Sequence, residues 1–226
     1  MSTRSERLIE RVCGPRHPLA PSLHHWGLTS GAFLAFVESN ESKFRRKVRQ
    51  AGDPAAQLDL LAEWAVARHF LADRRFTVQY EPRRAEGGRS ADLGVTFKTH
   101  TPLQVEVTRL RAGGSALDIK LARVLSDKVG QLAPGSANLL VVSLPPDDGP
   151  LEGAADTLLA AAFKVLNNAA ASPLPPEAGR DFQRGRPRLG AVWLVSDPAE
   201  LRDLHLWVNA QAKHPLPAEV LRFLHP

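Results

Sequence analysis

The sequence predicts an α/β protein in which helices flank a central mixed sheet of four to six strands. Two runs of β character, 91–97 and 103–110, are joined by a short polar turn, which is typical of a hairpin. The run 138–145 is continuously apolar, which indicates a strand buried on both faces. Helical patterns over 54–73 and 115–132 lie before and between these strands, so the sheet has helices to cover it.

The helix predicted over 54–73 has a well-formed start. Asp53 can accept hydrogen bonds from the first free amide groups, and Pro54 suits the first helical position. Glu63 borders the apolar stripe of this helix, which consists of Leu58, Leu61, Ala62, Ala65 and Phe70. A strand over 76–82 follows, so that three successive strands form a meander before the next helix.

The second long helix, predicted over 115–132, has a buried face made of Leu117, Leu121, Val124, Leu125 and Leu132. Lys120, Lys128 and Gln131 lie along or beside that face, which is an unusual set for a core helix. Further along the chain we expect an alanine-rich helix, a Pro/Gly/Arg-rich loop over 172–189, strands over 190–196 and 203–209, and a short final helix.

Residues 1–52 predict a helical extension that precedes an α/β region over 53–226, and the two form a single domain overall. Several prolines in the first 30 residues favour a short helix followed by an irregular arm. Residues 30–50 predict one helix whose second half carries Lys43, Arg45, Arg46, Lys47 and Arg49. This basic cluster fits a nucleic-acid backbone, and it fits equally a helix end whose dipole favours cations.

Composition narrows the class of protein without fixing it. The 226 residues include 43% hydrophobic and 23% charged residues, the proportions of an ordinary globular protein, and the net charge of +5 allows a polyanionic partner. The single cysteine, Cys13, cannot form an internal disulfide, and no His or Cys cluster has the spacing of a zinc site. Because no apolar run is long enough to cross a bilayer, we expect no membrane span and a cytoplasmic location.

Two carboxylates in the hairpin carry the strongest chemical signal. Asp92 stands at the start of the first run and Glu106 in the middle of the second. Strand alternation places Gln104, Glu106 and Thr108 on one face of the second strand. A carboxylate centred in such a strand has lost water, so it needs a partner, a proton or a metal ion.

The order of helix, three strands, helix and strand, with acids at Glu63, Asp92 and Glu106, resembles the PD-(D/E)XK nuclease superfamily, the restriction-endonuclease-like fold. The resemblance covers roughly residues 53–145. Asp92 matches the first acidic position, Glu106-Val107-Thr108 matches the (D/E)-x-K tripeptide, and Glu63 matches the helical glutamate. It implies a nuclease acting on DNA or RNA with Mg²⁺ or Mn²⁺ held by Asp92, Glu106 and Glu63.

The sequence departs from this family at its lysine position, which is Thr108. A threonine can orient a water molecule but supplies no charge, so Lys128 or Lys120 would have to provide the cation. Lys128 and Gln131 resemble polar residues that the family's second helix directs at the site, and Gln104 would support Glu106 from the same strand face. Candidate nucleic-acid contacts are Lys43, Arg45, Arg46, Arg184 and Arg186. Many proteins of this fold act as dimers, so a homodimer is a further expectation.

Two other interpretations stay open. The chain could be a nuclease-like domain without catalysis that binds nucleic acid or a protein partner, an interpretation that Thr108 favours. It could also be an unrelated α/β domain whose Asp92 and Glu106 bond to backbone amides or pair with Arg89 or Arg109. Convergence of the acidic side chains would favour a metal site.

Overall fold

The computed structural model of the protein describes residues 3–82, 90–111, 113, 115–145, 155–168, 173–197 and 199–225. Arg89, one of the proposed structural partners of Asp92 and Glu106, lies outside the described residues. Within the described ranges the fold is α/β, with a mixed sheet flanked by helices, as the sequence predicts.

Six strands of the described chain form one sheet, and their spatial order follows their order in the sequence. The first three are antiparallel neighbours, which confirms the predicted meander. The third, fourth and fifth run parallel, and the sixth is antiparallel to the fifth. The strands are β1 (Phe76–Tyr80), β2 (Leu93–Phe97), β3 (Thr101–Arg109), β4 (Ala137–Ser143), β5 (Ala191–Ser196) and β6 (Arg202–Val208).

Strand β4 divides the hydrophobic interior into two cores. All 7 of its residues are buried, which confirms the two-sided burial that its unbroken apolar run predicts. Leu139 and Val141 pack into a first core, whereas Leu140 and Val142 pack into a second core on the other face. Alternation along a single strand therefore requires a helical layer on each side of the sheet.

Five helices of the described ranges complete the predicted α/β layers. Helix α5 (Pro54–Leu71) lies against β3 and β1 and contributes to the first core. Helices α6 (Leu117–Val129), α7 (Ala155–Asn167) and α8 (Pro176–Gly185) pack together and form the second core. A last helix, α9 (Ala218–Leu224), adds Val220 and Leu224 to the first core. None of the helices in the described ranges is long and apolar enough to span a membrane.

The N-terminal region is more regular than the sequence predicts. It forms α1 (Arg4–Val12), α2 (Ala20–Thr29), α3 (Gly31–Ser39) and α4 (Glu41–Gln50). The expected irregular arm is wrong, because Pro21 lies in the first turn of α2, where a missing N–H costs nothing. The single helix expected over 30–50 is also wrong, since Asn40, at φ −120° and ψ 19°, separates two helices.

The N-terminal helices share the first core with the sheet. Phe44 of α4 stacks on Trp64 of α5 with ring centroids 4.5 Å apart, and it lies 5.0 Å from the ring of Tyr80 in β1. Phe36 of α3 contacts Tyr80 at 6.0 Å. These aromatic contacts hold α4 beside the end of β1 and the middle of α5.

The loop predicted over 172–189 is wrong, because most of it is helical. Residues 176–185 form α8, and a short 3-10 turn (Arg186–Arg188) follows. Pro176 takes an early helical position that tolerates proline, and Phe182 is buried in the second core. The glycines of this segment serve close packing: Gly179 lies against the carbonyl of Leu166, and Gly185 against Val129 of α6.

The apolar stripe predicted for α5 also needs one correction. Leu58 is 39% exposed, whereas Leu61, Ala62, Ala65 and Phe70 are buried as expected. Residues 54–59 are all exposed or half-buried, and the helix becomes covered only from residue 60 onward. The position of Leu58 in the periodic stripe predicted burial, but periodicity does not show where along the helix the covering elements begin.

We predict that Gly179→Ala lowers the free energy of unfolding by about 1–3 kcal/mol, because its new methyl carbon would lie 2.4 Å from the Leu166 carbonyl oxygen. Gly130→Ala is the matched control, since its methyl carbon would meet nothing closer than 4.0 Å and its φ is helical at −64°. Urea unfolding of both variants would measure this, and equal effects would contradict the close packing of α8.

Candidate functional site

The Asp92 side chain, just before the first residue of strand β2, is fixed by a backbone amide. The ladder between β2 and β3 ends at the pair Leu93–Val105. Two residues further along β3, the N–H of Val107 donates to Asp92 Oδ2 at 2.8 Å. The Asp92 carboxylate thus accepts from the amide that follows Glu106 in β3, so this bond joins Asp92 to the backbone beside Glu106 and not to the Glu106 side chain.

Glu106 is one of the few buried charged residues, with 8% of its surface exposed. It points to the α6 side of the sheet, because its parallel partner in β4 is Leu140, a residue of the second core. The ammonium of Lys128 on α6 donates to Glu106 Oε2 at 3.1 Å. Lys128 thus reaches Glu106, one acid of the predicted pair, and its role as the substitute lysine stays a prediction.

Glu63 lies on α5, on the other side of the sheet, in a buried polar network. The ammonium of Lys47 on α4 bonds both of its carboxylate oxygens, at 3.0 Å and 3.2 Å. The hydroxyl of Tyr80 donates to Glu63 Oε2 at 3.2 Å, and the indole N–H of Trp64 donates to that hydroxyl at 3.0 Å. The Glu63 carboxylate is thus hydrogen-bonded by Lys47 and Tyr80 inside the protein. It is not a surface residue, although its place beside the apolar stripe of the helix indicates one.

The electrostatics of Glu63 link this network to Asp92. Burial and then the negative charge of Asp92 raise the pKa of Glu63 to about 7, against the lowering effect of Lys47. Burial, reinforced by the charge of Glu63, also raises the pKa of Tyr80, so the phenol stays protonated and can donate. Burial opposes the charge on Lys47, but the carboxylates of Glu63, Asp92 and Glu81 outweigh it and raise its pKa.

Glu81 adds a further carboxylate beside the network. Its backbone has a left-handed φ of 46°, and its N–H donates to the carbonyl of Asp92 at 2.9 Å. Its side chain pairs with Arg46 and lies 3.6 Å from the Lys47 ammonium. The sequence analysis missed Lys47, Tyr80 and Glu81 as site residues. For Lys47 a signal exists, because it lies next to the buried Phe44 and Val48 on the inner side of α4.

The donor chemistry at this end of the sheet fits a hard divalent cation. Among the described residues, no group of three or more His, Cys, Asp and Glu side chains is arranged to hold a metal ion, so the predicted three-carboxylate ligand set stays a prediction. However, Asp92 and Glu63 are close enough for their charges to repel, and a cation would relieve that repulsion. Mg²⁺ needs only one or two carboxylates when water and phosphate complete its coordination.

The remaining residues predicted for the site lie on strand β3 or on and just past helix α6. Thr108 and Gln104 share the face of Glu106, opposite Val142 and Asn138 of β4. Lys120, in contrast, donates its ammonium to the backbone carbonyl of Arg111, beyond the end of β3. The backbone N–H of Gln131 bonds to the carbonyl of Lys128, which places Gln131 just past the end of α6.

The predicted nucleic-acid contacts on α4 are partly used within the fold. Lys43 donates to the carbonyls of Tyr80 and Glu81, and Arg46 pairs with Glu81. The side chains of Arg45 and Arg46 nevertheless keep about half of their surface exposed, at 50% and 49%. The α4 cluster therefore holds the helix against β1 and also presents positive charge to the solvent.

The other two predicted nucleic-acid contacts, Arg184 and Arg186, differ in their surroundings. Arg184 is exposed on α8 and pairs only weakly with Asp181, at 3.4 Å. The guanidinium of Arg186 lies over the rings of Phe163 and Trp207, at 5.7 Å and 5.8 Å, and its Nε is buried with no hydrogen-bond partner among the described residues. Arg186 is thus packed against aromatic rings instead of extending from a loop.

One open interpretation assigned Asp92 and Glu106 to ordinary structural bonds. Arg109 does not pair with either of them: it bonds Asp59 at 3.0 Å on the α5 side, and Arg111 bonds the same carboxylate at 2.9 Å. Asp92 does bond a backbone amide, as that interpretation expects. The charge of Asp92 raises the pKa of Glu63 and Lys47 lowers it, so an ordinary structural role for these carboxylates stays an open interpretation.

Comparisons with known proteins add no family to this geometry. The chain matches no protein-family model, no curated protein and no solved structure. The function must therefore be argued from the site itself.

We predict that the free energy of unfolding of the wild type falls relative to that of Glu63→Gln as the pH rises from about 4 to 8. The folded-state pKa of Glu63, about 7, lies above the ordinary value of 4.5, so its protonated form is preferred by the fold. The stability from this proton is complete below the unfolded pKa and is lost as the pH rises through the folded pKa. The free energy of unfolding of the wild type should fall by up to about 3 kcal/mol relative to that of Glu63→Gln.

Chemical denaturation at a series of pH values would measure this difference. Glu219→Gln is the control, because Glu219 is an exposed carboxylate whose pKa is lowered by Lys98. It is ionised in both states between pH 5 and 8, so its difference from the wild type should not change there. A pH-independent difference for Glu63→Gln as well would contradict the raised pKa.

Proposed function

We propose that this protein is a metal-dependent nuclease that hydrolyses phosphodiester bonds of DNA or RNA, on a restriction-endonuclease-like core. The observation that carries the proposal is the bond between Asp92 and the Val107 amide, which places Asp92 beside the buried Glu106. Glu63 is held within electrostatic reach of Asp92, and Lys128 supplies a positive charge at Glu106. Buried acids and a cation in this arrangement are what phosphoryl chemistry requires.

Asp92 would hold Mg²⁺ or Mn²⁺ with one further carboxylate, either Glu106 on the α6 side or Glu63 on the α5 side, and water and phosphate oxygens would complete the coordination. A bound divalent ion lowers the pKa of a water ligand and offsets negative charge on phosphate. The Val107 amide orients the Asp92 carboxylate by donating to one of its oxygens, which leaves the other oxygen for a ligand. Glu63 is oriented by Tyr80, whose phenol is itself held by Trp64.

Lys128 would take the part of the lysine that Thr108 replaces. Its ammonium reaches Glu106 from α6, so it can orient a water molecule at that carboxylate and stabilise charge that develops on the phosphate. Thr108 lies on the same strand face and can hydrogen-bond the same water. A nucleic-acid substrate would meet the exposed arginines Arg45 and Arg46 on α4.

A second candidate is a nuclease-like domain without catalysis that binds nucleic acid or a protein partner. Two observations favour it. Thr108 removes the charge from the motif, and both Glu106 and Glu63 already have lysine partners that neutralise them. If the wild type cleaves neither single- nor double-stranded DNA or RNA with Mg²⁺ or Mn²⁺, this second function becomes the better one.

We predict that the protein binds Mg²⁺ or Mn²⁺ with retained waters and that Asp92→Asn abolishes this binding in calorimetry. The amide keeps an acceptor for the Val107 N–H, so the strand ends stay in place while the charge is lost. Glu106→Ala should also abolish binding. Asp181→Ala is the control, because Asp181 is an exposed acid on α8. Undiminished binding by Asp92→Asn would remove Asp92 from the metal site.

We predict that Lys128→Ala lowers nucleic-acid cleavage by about two to three orders of magnitude, because one charge-stabilising group is lost. Introducing Thr108→Lys into that variant should restore part of the activity, since residue 108 lies on the face of Glu106. Arg123→Ala removes an exposed cation of the same helix and serves as control. Full activity of Lys128→Ala would show that Lys128 is not the substitute lysine.

A further inference from the structure

We propose that Lys47 is a built-in competitor for the divalent cation: its ammonium occupies the cation position at the Glu63 carboxylate, and it must withdraw when a metal ion binds there. This inference rests on the proposed metal-dependent function and extends it to the control of the same site. It also gives the N-terminal helices a part in the reaction, because Lys47 belongs to α4.

The contacts of Lys47 are those of a bound cation. Its Nζ lies 3.2 Å from Glu63 Oε1 and 3.0 Å from Glu63 Oε2, so it sits in the opening of the carboxylate where a cation would approach both oxygens. It is also 3.6 Å from Glu81 Oε1. Its side chain is 22% exposed, which leaves a path by which the ammonium can move to solvent.

Charge balance argues that Lys47 and a divalent ion exclude each other. The Glu63, Glu81 and Asp92 carboxylates all act on the Lys47 ammonium, and Arg46 also pairs with Glu81. A divalent ion at Glu63 would stand within about 4 Å of the ammonium, where like charges repel strongly in a partly buried site. If Lys47 withdrew, the carboxylates would bind the metal ion alone, and the site would carry no excess of positive charge.

The neighbouring lysine shows that this position is specific to Lys47. Lys43, one helical turn earlier on α4, donates to the backbone carbonyls of Tyr80 and Glu81 and not to a carboxylate. Phe44, between the two lysines, is completely buried and stacks on Trp64, so the helix itself is anchored. Only the Lys47 side chain has to move, and the aromatic anchor can stay in place.

The test is calorimetric titration of Mg²⁺ into the full chain at pH 8.5, where protons compete less for Glu63. Lys47→Met keeps the length of the apolar stem and removes the charge. We expect it to bind Mg²⁺ at least about tenfold more tightly than the wild type. Lys47→Arg keeps the charge and should stay near wild-type affinity, and Lys43→Met, the matched control on the same helix, should change affinity by less than about threefold.

A second measurement uses the wild type alone, so that it does not depend on the folding of a variant. Lysines are acetylated with acetic anhydride, with and without saturating Mg²⁺, and the sites are quantified by mass spectrometry. We expect Mg²⁺ to raise the acetylation rate of Lys47 severalfold, because the displaced ammonium becomes accessible. The rate at Lys43 should stay constant, and Asp92→Asn should abolish the effect at Lys47.

The outcomes separate this inference from the proposed function. Cleavage or Mg²⁺ binding by the wild type, with unchanged affinity in Lys47→Met and unchanged acetylation of Lys47, overturns the competitor role and leaves the nuclease proposal intact. Tight Mg²⁺ binding by Lys47→Met without cleavage by any variant supports the competitor role and counts against the nuclease. Absence of Mg²⁺ binding in both Lys47→Met and the wild type overturns the inference.

Discussion

The complete burial of strand β4 is the constraint on which the rest of the structure depends. A strand with apolar residues pointing both ways needs cover on both faces, and the chain supplies α5 on one side and α6 on the other. These two helices bring Glu63 and Lys128 to opposite sides of the sheet. Asp92 lies just before β2, where its carboxylate accepts from the Val107 amide and its charge acts on Glu63.

This arrangement also explains why the acids form two pairs with lysines. Glu106 faces α6 and finds Lys128, whereas Glu63 faces α4 and finds Lys47. Each pair keeps a carboxylate in a place where an unpaired charge would be costly. The network of Trp64, Tyr80 and Glu63 has a donor for every acceptor along its length, which fixes the Glu63 side chain before any ligand arrives.

Sequence reasoning predicted what depends on local pattern. Alternation in β3 gave the correct face for Glu106, and the helical line through α6 gave the correct direction for Lys128. It failed for Lys47, because the contact with Glu63 joins two helices whose relation is set by the stacking of Phe44 on Trp64. It failed for α8 for another reason: Pro and Gly were taken as breakers, although here they begin the helix and permit close packing.

Gly185, which has no side chain, affects the position of a charged residue far from it in the sequence, namely Lys128. A side chain there would approach Val129 Cγ1 at 2.9 Å, and Val129 is the neighbour of Lys128. Any larger residue at this place must push α6 or α8 aside and so change the reach of the ammonium toward Glu106. Substitution at Gly185 is therefore limited by its packing against Val129, and the same packing sets the distance from which Lys128 reaches Glu106.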